Sequence, residues 1–246
     1  MNEKSRDGEP VGPWDAVALT MLDDWDPGWA HACRAMSVNP WSGTVLPRPF
    51  VELVSVAVSV ACTNLDRVGT RRHIRAALDA GATREQVLTI VQMASVMAIH
   101  SCSLGAPILL EEAAAAGAAL PPAPSAATPA CDRMKAIGQW NAAWDPFFAL
   151  DPVWTDQFMA TGAAIYGGGV FTPKETELLS IAFDASFTHM YVPGTRRHIR
   201  NALAAGASVA EIMEVLKLCV AQGIAASNLG VTILAEELMR REDTGR

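Results

Sequence analysis

Apolar and polar residues follow a helical period along most of this chain. In the stretch from Val209 to Gln222, Ile212, Val215, Leu216 and Cys219 recur at the steps that place them on one face of an α-helix. Start and stop signals bracket such stretches. "TPKETELLSIAFDASF" opens with Thr172 as N-cap, Pro173 at the first helical position and Glu175 three residues after the cap, which is a capping box. Ser208 with Glu211, and Thr83 with Gln86, repeat the device ahead of two long apolar runs. Gly81 and Gly206 stand where a left-handed residue ends a helix. The helices before those glycines are expected to start at Thr70 and Thr195 as N-caps, the second reaching about Ala205. "VELVSVAVSVA" has the valine content of a strand. Its counterpart "TELLSIAFDASF" carries stronger helix formers and a cap, so both are expected to be helices. The pattern predicts an all-α fold.

The pattern also repeats. "GTRRHIR" occurs at Gly69–Arg75 and again at Gly194–Arg200, a shift of 125 residues (198 − 73 = 125). At that shift the chain lies over itself without gaps from Glu52 to Glu112, and roughly 24 of 61 positions coincide, which marks an internal duplication. The Pro- and Ala-rich segment 117–131 reads as a linker between the copies. The expected organisation is a disordered N-terminus (1–13), a first repeat (14–116), the linker, and a second repeat (132–246). Seven tryptophans sit in segments that precede the copies or lie between them, as core packing or pocket walls.

Composition narrows the partners. Half of the residues are hydrophobic and only 18% are charged, so much of the surface is expected to be covered by subunit contacts. A net charge of −7 and a pI near 5.2 argue against nucleic acid as the main partner. No signal or transit peptide is visible at the start, and the apolar run Leu53–Cys62 is too short to span a bilayer. A cytoplasmic protein without a membrane role is expected. The five cysteines form no C-x-x-C pair, and with the histidines widely spaced no metal cluster and no cofactor are expected, although the fold could bring His100, His189 and His198 together around one.

The chemistry concentrates in the repeated string. With Thr70 and Thr195 as caps, His73 and His198 would lie in the first turn of a helix, flanked by arginines. Positive potential there would keep each imidazole neutral and able to accept a proton. Free backbone N–H groups together with Arg71, Arg72, Arg196 and Arg197 would attract a carboxylate. A salt-bridged outer face is the competing reading for the arginines, and a packing role for the histidines. Glu52 and Glu177, each in an apolar helix, either stabilise a helix dipole or are drawn inward to pair with an arginine or histidine of the string. The copies differ around this frame. Copy two has His189 and Tyr191 where copy one has Asn64 and Asp66, and copy one has His100 and Cys102 where copy two has Ala225 and Ser227. One composite pocket, with His189, Tyr191 and His198 facing His100 and Cys102, would explain the split; independent drift after duplication would too.

The skeleton E-L-x-S-x-A, then H-I-R-x-A-L-x-A-G-A, then a capping-box start resembles the carboxymuconolactone decarboxylase family, which includes the alkylhydroperoxidase D-like proteins. The match covers about 60 residues of each copy. It implies two tandem all-α repeats and oligomers of small helical units, with a trimer favoured for a tandem chain. One branch of that family uses a C-x-x-C pair as a thiol peroxidase. Here Cys62 has Leu65 in place of a partner, and copy two has no cysteine there. The decarboxylase branch needs no cysteine. The expected function is a cofactor-free lyase or isomerase acting on a small anionic substrate, a carboxylated lactone or a product of aromatic ring cleavage. His198 is the expected base, Arg196 and Arg197 the anchors, and Glu177 the orienting or protonating group; His73, Arg71, Arg72 and Glu52 would do the same if copy one is active. The alternatives are a redox enzyme using Cys62 or Cys102 alone, and a non-catalytic oligomeric binding protein.

Overall fold

The computed structural model describes residues 12–120, 122 and 126–244. The first repeat supplies α1 (Ala16–Trp25), α2 (Pro27–Ser37), α3 (Asn39–Ser42), α4 (Arg48–Val60), α5 (Arg67–Asp79), α6 (Arg84–Val96) and α7 (His100–Ala115). The second supplies α8 (Pro129–Ala136), α9 (Asp145–Leu150), α10 (Pro152–Tyr166), α11 (Pro173–Ala185), α12 (Val192–Ala204), α13 (Val209–Ala221) and α14 (Ile224–Asp243). Among the described residues there is no strand. The all-α expectation holds. So do the three capping boxes, at Thr83, Thr172 and Ser208.

The valine-rich stretch is helical because of where it lies. Every residue from Phe50 to Ser59 in α4 is buried, and so is every residue from Glu177 to Asp184 in α11. A helix enclosed on all sides can be apolar all round, and burial of each large side chain, at about 1.5–3 kcal/mol, outweighs a few tenths of lost helix propensity. α4 packs on α11, and Thr63 and Thr188 share a hydrogen bond of 3.2 Å although they lie 125 residues apart. Equivalent residues of the two copies therefore meet, as they do on a pseudo-twofold axis.

The boundaries differ from the sequence reading in two respects, the first at the helix starts. α5 starts at Arg67, capped by Asp66, whose carboxylate accepts from the Val68 and Gly69 backbone N–H groups. α12 starts at Val192 with Pro193 in its first turn. Thr70 and Thr195 are thus inside their helices. His73 and His198 fall in the second turn, where backbone N–H groups already bond within the helix, so the dipole argument for these histidines does not apply. The second difference is at the linker: α8 begins at Pro129, inside the segment assigned to it. The expected disorder of 1–13 lies mostly outside the described residues, but the Pro13 carbonyl accepts from Arg72 and Asn228.

The leading helices are exchanged. α1 packs on α14 and α2 on α13, both in the second repeat; α9 packs on α7 and α10 on α6, both in the first. Each copy is completed by the other. Two stretches, Arg84–Ala115 and Val209–Asp243, are long and apolar enough to cross a bilayer by length and composition, which the sequence reading of Leu53–Cys62 overlooked. A 3₁₀ turn at Met97–Ile99 interrupts the first, and residues 222–223 separate the helices of the second. α6 and α13 bury one face in the core, while α7 and α14 expose Leu104, Ile108 and Leu109 and their counterparts Leu229, Ile233 and Leu234.

Candidate active site

Each copy holds a buried carboxylate–imidazole pair. In copy two Glu177 on α11 meets His198 on α12, with Oε2 2.6 Å from Nδ1, and Asn201 donates to the other Glu177 oxygen at 3.2 Å. In copy one Glu52 meets His73, with Oε2 2.8 Å from Nδ1. Glu52 and Glu177 are thus drawn inward and paired with the histidine of the repeated string. A carboxylate facing Nδ1 places the ring proton there, so a neutral His198 presents a bare Nε2 on its far side.

Beyond the pair the copies diverge. In copy one Trp41 Nε1 and Arg48 both reach Glu52 Oε1, at 2.8 and 2.7 Å, and the Trp41 ring stacks near His73. Arg72 is held by the Pro13 carbonyl at 2.6 Å and lies 3.8 Å from Asp15. Asn64 donates to the Val58 carbonyl and Asp66 caps α5. These groups spend their polar capacity on holding the fold.

In copy two the same frame borders a cavity of about 70 Å³, walled by His198, Arg197, Asp184, Tyr166 and Trp144 from the second repeat and by His100, Met93 and Met97 from the first. Asp184 lies on α11 two turns after Glu177 and stands where copy one has Ser59. It is 2% exposed, and its Oδ2 has no hydrogen-bond partner among the described residues. That oxygen is 3.6 Å from His198 Nε2, and Asp184 Oδ1 is 3.6 Å from His100 Nδ1. His100 Nδ1 and His189 Nε2 approach to 2.7 Å, and Tyr191 stacks on His100 with ring centroids 3.9 Å apart. His100, at the start of α7, thus joins His189, Tyr191 and His198 of the other repeat. Cys102 instead packs against a separate hydrophobic cluster around Met134 and Phe147.

Burial dominates the electrostatics. It pushes the Asp184 carboxyl up to about 7, against the pull of His198 and Arg197. It pushes His100 down to about 3, helped by His189, His198 and Arg197, and it lowers His189 as well. Burial raises the thiols of Cys131, to about 11, and Cys219, to about 12, so neither is a ready thiolate.

The arginines separate. Arg197 reaches the cavity, donates to the Gln139 backbone carbonyl at 3.2 Å and its side-chain Oε1 at 3.5 Å, and lies over the Trp144 ring. Arg196 and Arg71 point outward and are exposed, Arg71 lining a shallow outer groove with Arg67 and Arg75. As substrate anchors Arg196, Arg71 and Arg72 are corrected: one helical turn carries successive residues to different faces, and only one of each pair can face inward. Asp184, Tyr166 and Asn201 were missed, while Trp144 is one of the tryptophans read as core packing or pocket walls. Asp184 had a signal, a lone carboxylate in an apolar helix on the face of Glu177. His100, Asp184 and His189 bring three ligand atoms within 4.8 Å of one another, because folding carries His100 to a pair that lies 84 or more positions further along the chain (184 − 100 = 84).

The family model described as Carboxymuconolactone decarboxylase family matches residues 27–101 and 152–234. Among solved structures, a protein of Burkholderia xenovorans LB400, assigned provisionally as a gamma-carboxymuconolactone decarboxylase subunit, is 32% identical, with 92% of each chain covered and a TM-score of 0.83. No curated protein matches.

Proposed function

The chain belongs to the carboxymuconolactone decarboxylase family, and on that premise we propose that it is a decarboxylase-like lyase acting on a small carboxylated lactone or a related ring-cleavage acid. The observation that carries the reading is the His198–Glu177 pair opening onto a cavity that Arg197 also enters. Arg197 offers a planar set of donors to a carboxylate. Loss of carbon dioxide from a ring carbon leaves the bonding pair in the conjugated lactone, and one proton must then be added to carbon. His198 transfers that proton through Nε2: the imidazolium gives it up and becomes neutral, and solvent restores it. Glu177 steadies the ring and its charge through Nδ1, as a buried carboxylate does for a catalytic histidine. The cavity has room for only a few waters, so a ring acid enters by displacing the half-buried wall of Trp144 and Gln139. Copy one keeps the pair but closes it with Trp41 and Arg48, which favours one reactive pocket per chain.

The test is ultraviolet-monitored turnover of γ-carboxymuconolactone by the wild type, His198→Ala and His73→Ala. Turnover by the wild type, a loss of about 10²–10⁴-fold in His198→Ala and retention in folded His73→Ala is the expected result. An inactive wild type, or equal losses in both variants, would overturn it.

Assembly is proposed from the surface. The exposed leucines and isoleucines of α7 and α14 form matching apolar faces at equivalent positions of the two repeats, a poor surface for a monomer to leave in water. They support a homo-oligomer, a trimer of tandem chains. Light scattering on the purified protein should give three chains, and Leu104→Glu with Leu229→Glu should lower that number.

A further inference from the structure

The cluster at the repeat junction holds more than proton transfer requires. Three side chains converge there from two repeats: His100 from α7, Asp184 from α11 and His189 from the turn before α12. Two imidazole nitrogens and one carboxylate are a common donor set for zinc and its first-row neighbours. The Asp184 carboxylate is 2% exposed, with Oδ1 3.6 Å from His100 Nδ1, so a cation on that side would meet a desolvated carboxylate.

We propose that His100 Nδ1, His189 Nε2 and the Asp184 carboxylate bind one divalent first-row transition-metal ion. Ligand atoms on a tetrahedral ion with bonds of about 2.0–2.1 Å lie roughly 3.3 Å apart. The separation of 3.6 Å between His100 Nδ1 and Asp184 Oδ1 is already near that value. The separation of 2.7 Å between His100 and His189 must open slightly, and His189, half-buried on a turn, can swing outward to allow it. The ring of His100 is held in plane by Tyr191. His198 Nε2 lies 3.6 Å from Asp184 Oδ2, on the cavity side of the carboxylate. Gly194 completes the site by what it lacks: a Cβ there would overlap Asp184 Oδ2 and crowd the Tyr191 ring. Copy one has Ser59, Asn64 and Asp66 at the positions of Asp184, His189 and Tyr191, and so has no such donor set. The site does not rest on the lyase reading. An ion held there would face the cavity and add positive charge beside Arg197.

The experiment is zinc titration calorimetry on the full chain after chelator treatment, repeated with cobalt(II) and read by visible absorption. The expected result is one zinc per chain, with a cobalt spectrum showing d–d bands and no thiolate-to-metal band. His189→Ala and Asp184→Asn should each weaken binding by more than the roughly 10–100-fold typical of an outer partner. His31→Ala, on an exposed helix face, should leave it unchanged. His189 lies on a turn at the surface, so its variant keeps the test valid even if Asp184→Asn unfolds. Sub-stoichiometric binding, a thiolate band, or binding unaffected by His189→Ala means an adventitious ion only and overturns the site. Turnover is not a readout here, so failure of the metal site leaves the lyase reading standing.

Discussion

At the scale of single residues, the two glycines of the repeated string separate shape from propensity. Both are helical, and alanine would gain about 1 kcal/mol of helix propensity at either. A Cβ at Gly194 meets the enclosed Asp184 carboxylate, which is 2% exposed, and crowds the half-buried Tyr191 ring. A Cβ at Gly69 meets the Asp66 carboxylate, which is only partly buried and can turn toward water. Gly194→Ala is therefore expected to destabilise by about 1–3 kcal/mol and Gly69→Ala by less, read from urea midpoints. Arg197 is the second residue-level case. If it grips the substrate carboxylate equally in the ground and transition states, Arg197→Gln should raise KM by roughly 30-fold, about 2 kcal/mol, with kcat little changed. A fall in kcat at constant KM would instead place its contact in the transition state alone. The pairing of Glu52 and Glu177 was half legible in the sequence: burial of a carboxylate demands a partner, but which cation or ring takes it depends on the angle between two helices.

At the scale of elements, helix starts decide what the histidines feel. Thr70 looked like a cap because threonine precedes a helical run, but Asp66 takes that role and moves the start forward by about a turn. Asp66→Ala should cost about 1 kcal/mol, while Thr70→Ala, inside α5 rather than at its cap, should fall within about 0.5 kcal/mol. Guanidinium or urea melts of the two variants check the difference. The same comparison explains what could be read locally. The capping boxes at Thr83, Thr172 and Ser208 stood out because both partners lie within four residues. The start of α12, marked by Pro193 with no side-chain cap on Tyr191, offered no such paired signal.

At the scale of the whole molecule, the exchange of leading helices makes the repeats interdependent. α1 and α2 cover the second copy, while α9 and α10 cover the first. Separately produced fragments, 12–120 and 126–244, should each lose much of their helical circular dichroism, because each exposes apolar surface that the other buries. Mixing them should restore it. Fragments that are each fully helical and do not associate would contradict the exchanged arrangement. The interdependence also explains why the junction carries the chemistry: a cavity between two copies can diverge on each side without disturbing the duplicated core.

The sequence alone determined the helical class and the duplication, and it marked Glu52, Glu177 and the repeated string as candidates for a buried pair, because period, caps and a gapless shift are local or self-referential signals. Tertiary structure decided the rest. It set which arginine of each string faces inward, it sealed the copy-one pair beneath Trp41, and it brought His100 to His189 and Asp184. These depend on helix rotation and on packing between distant segments, which act only once the two repeats close on each other.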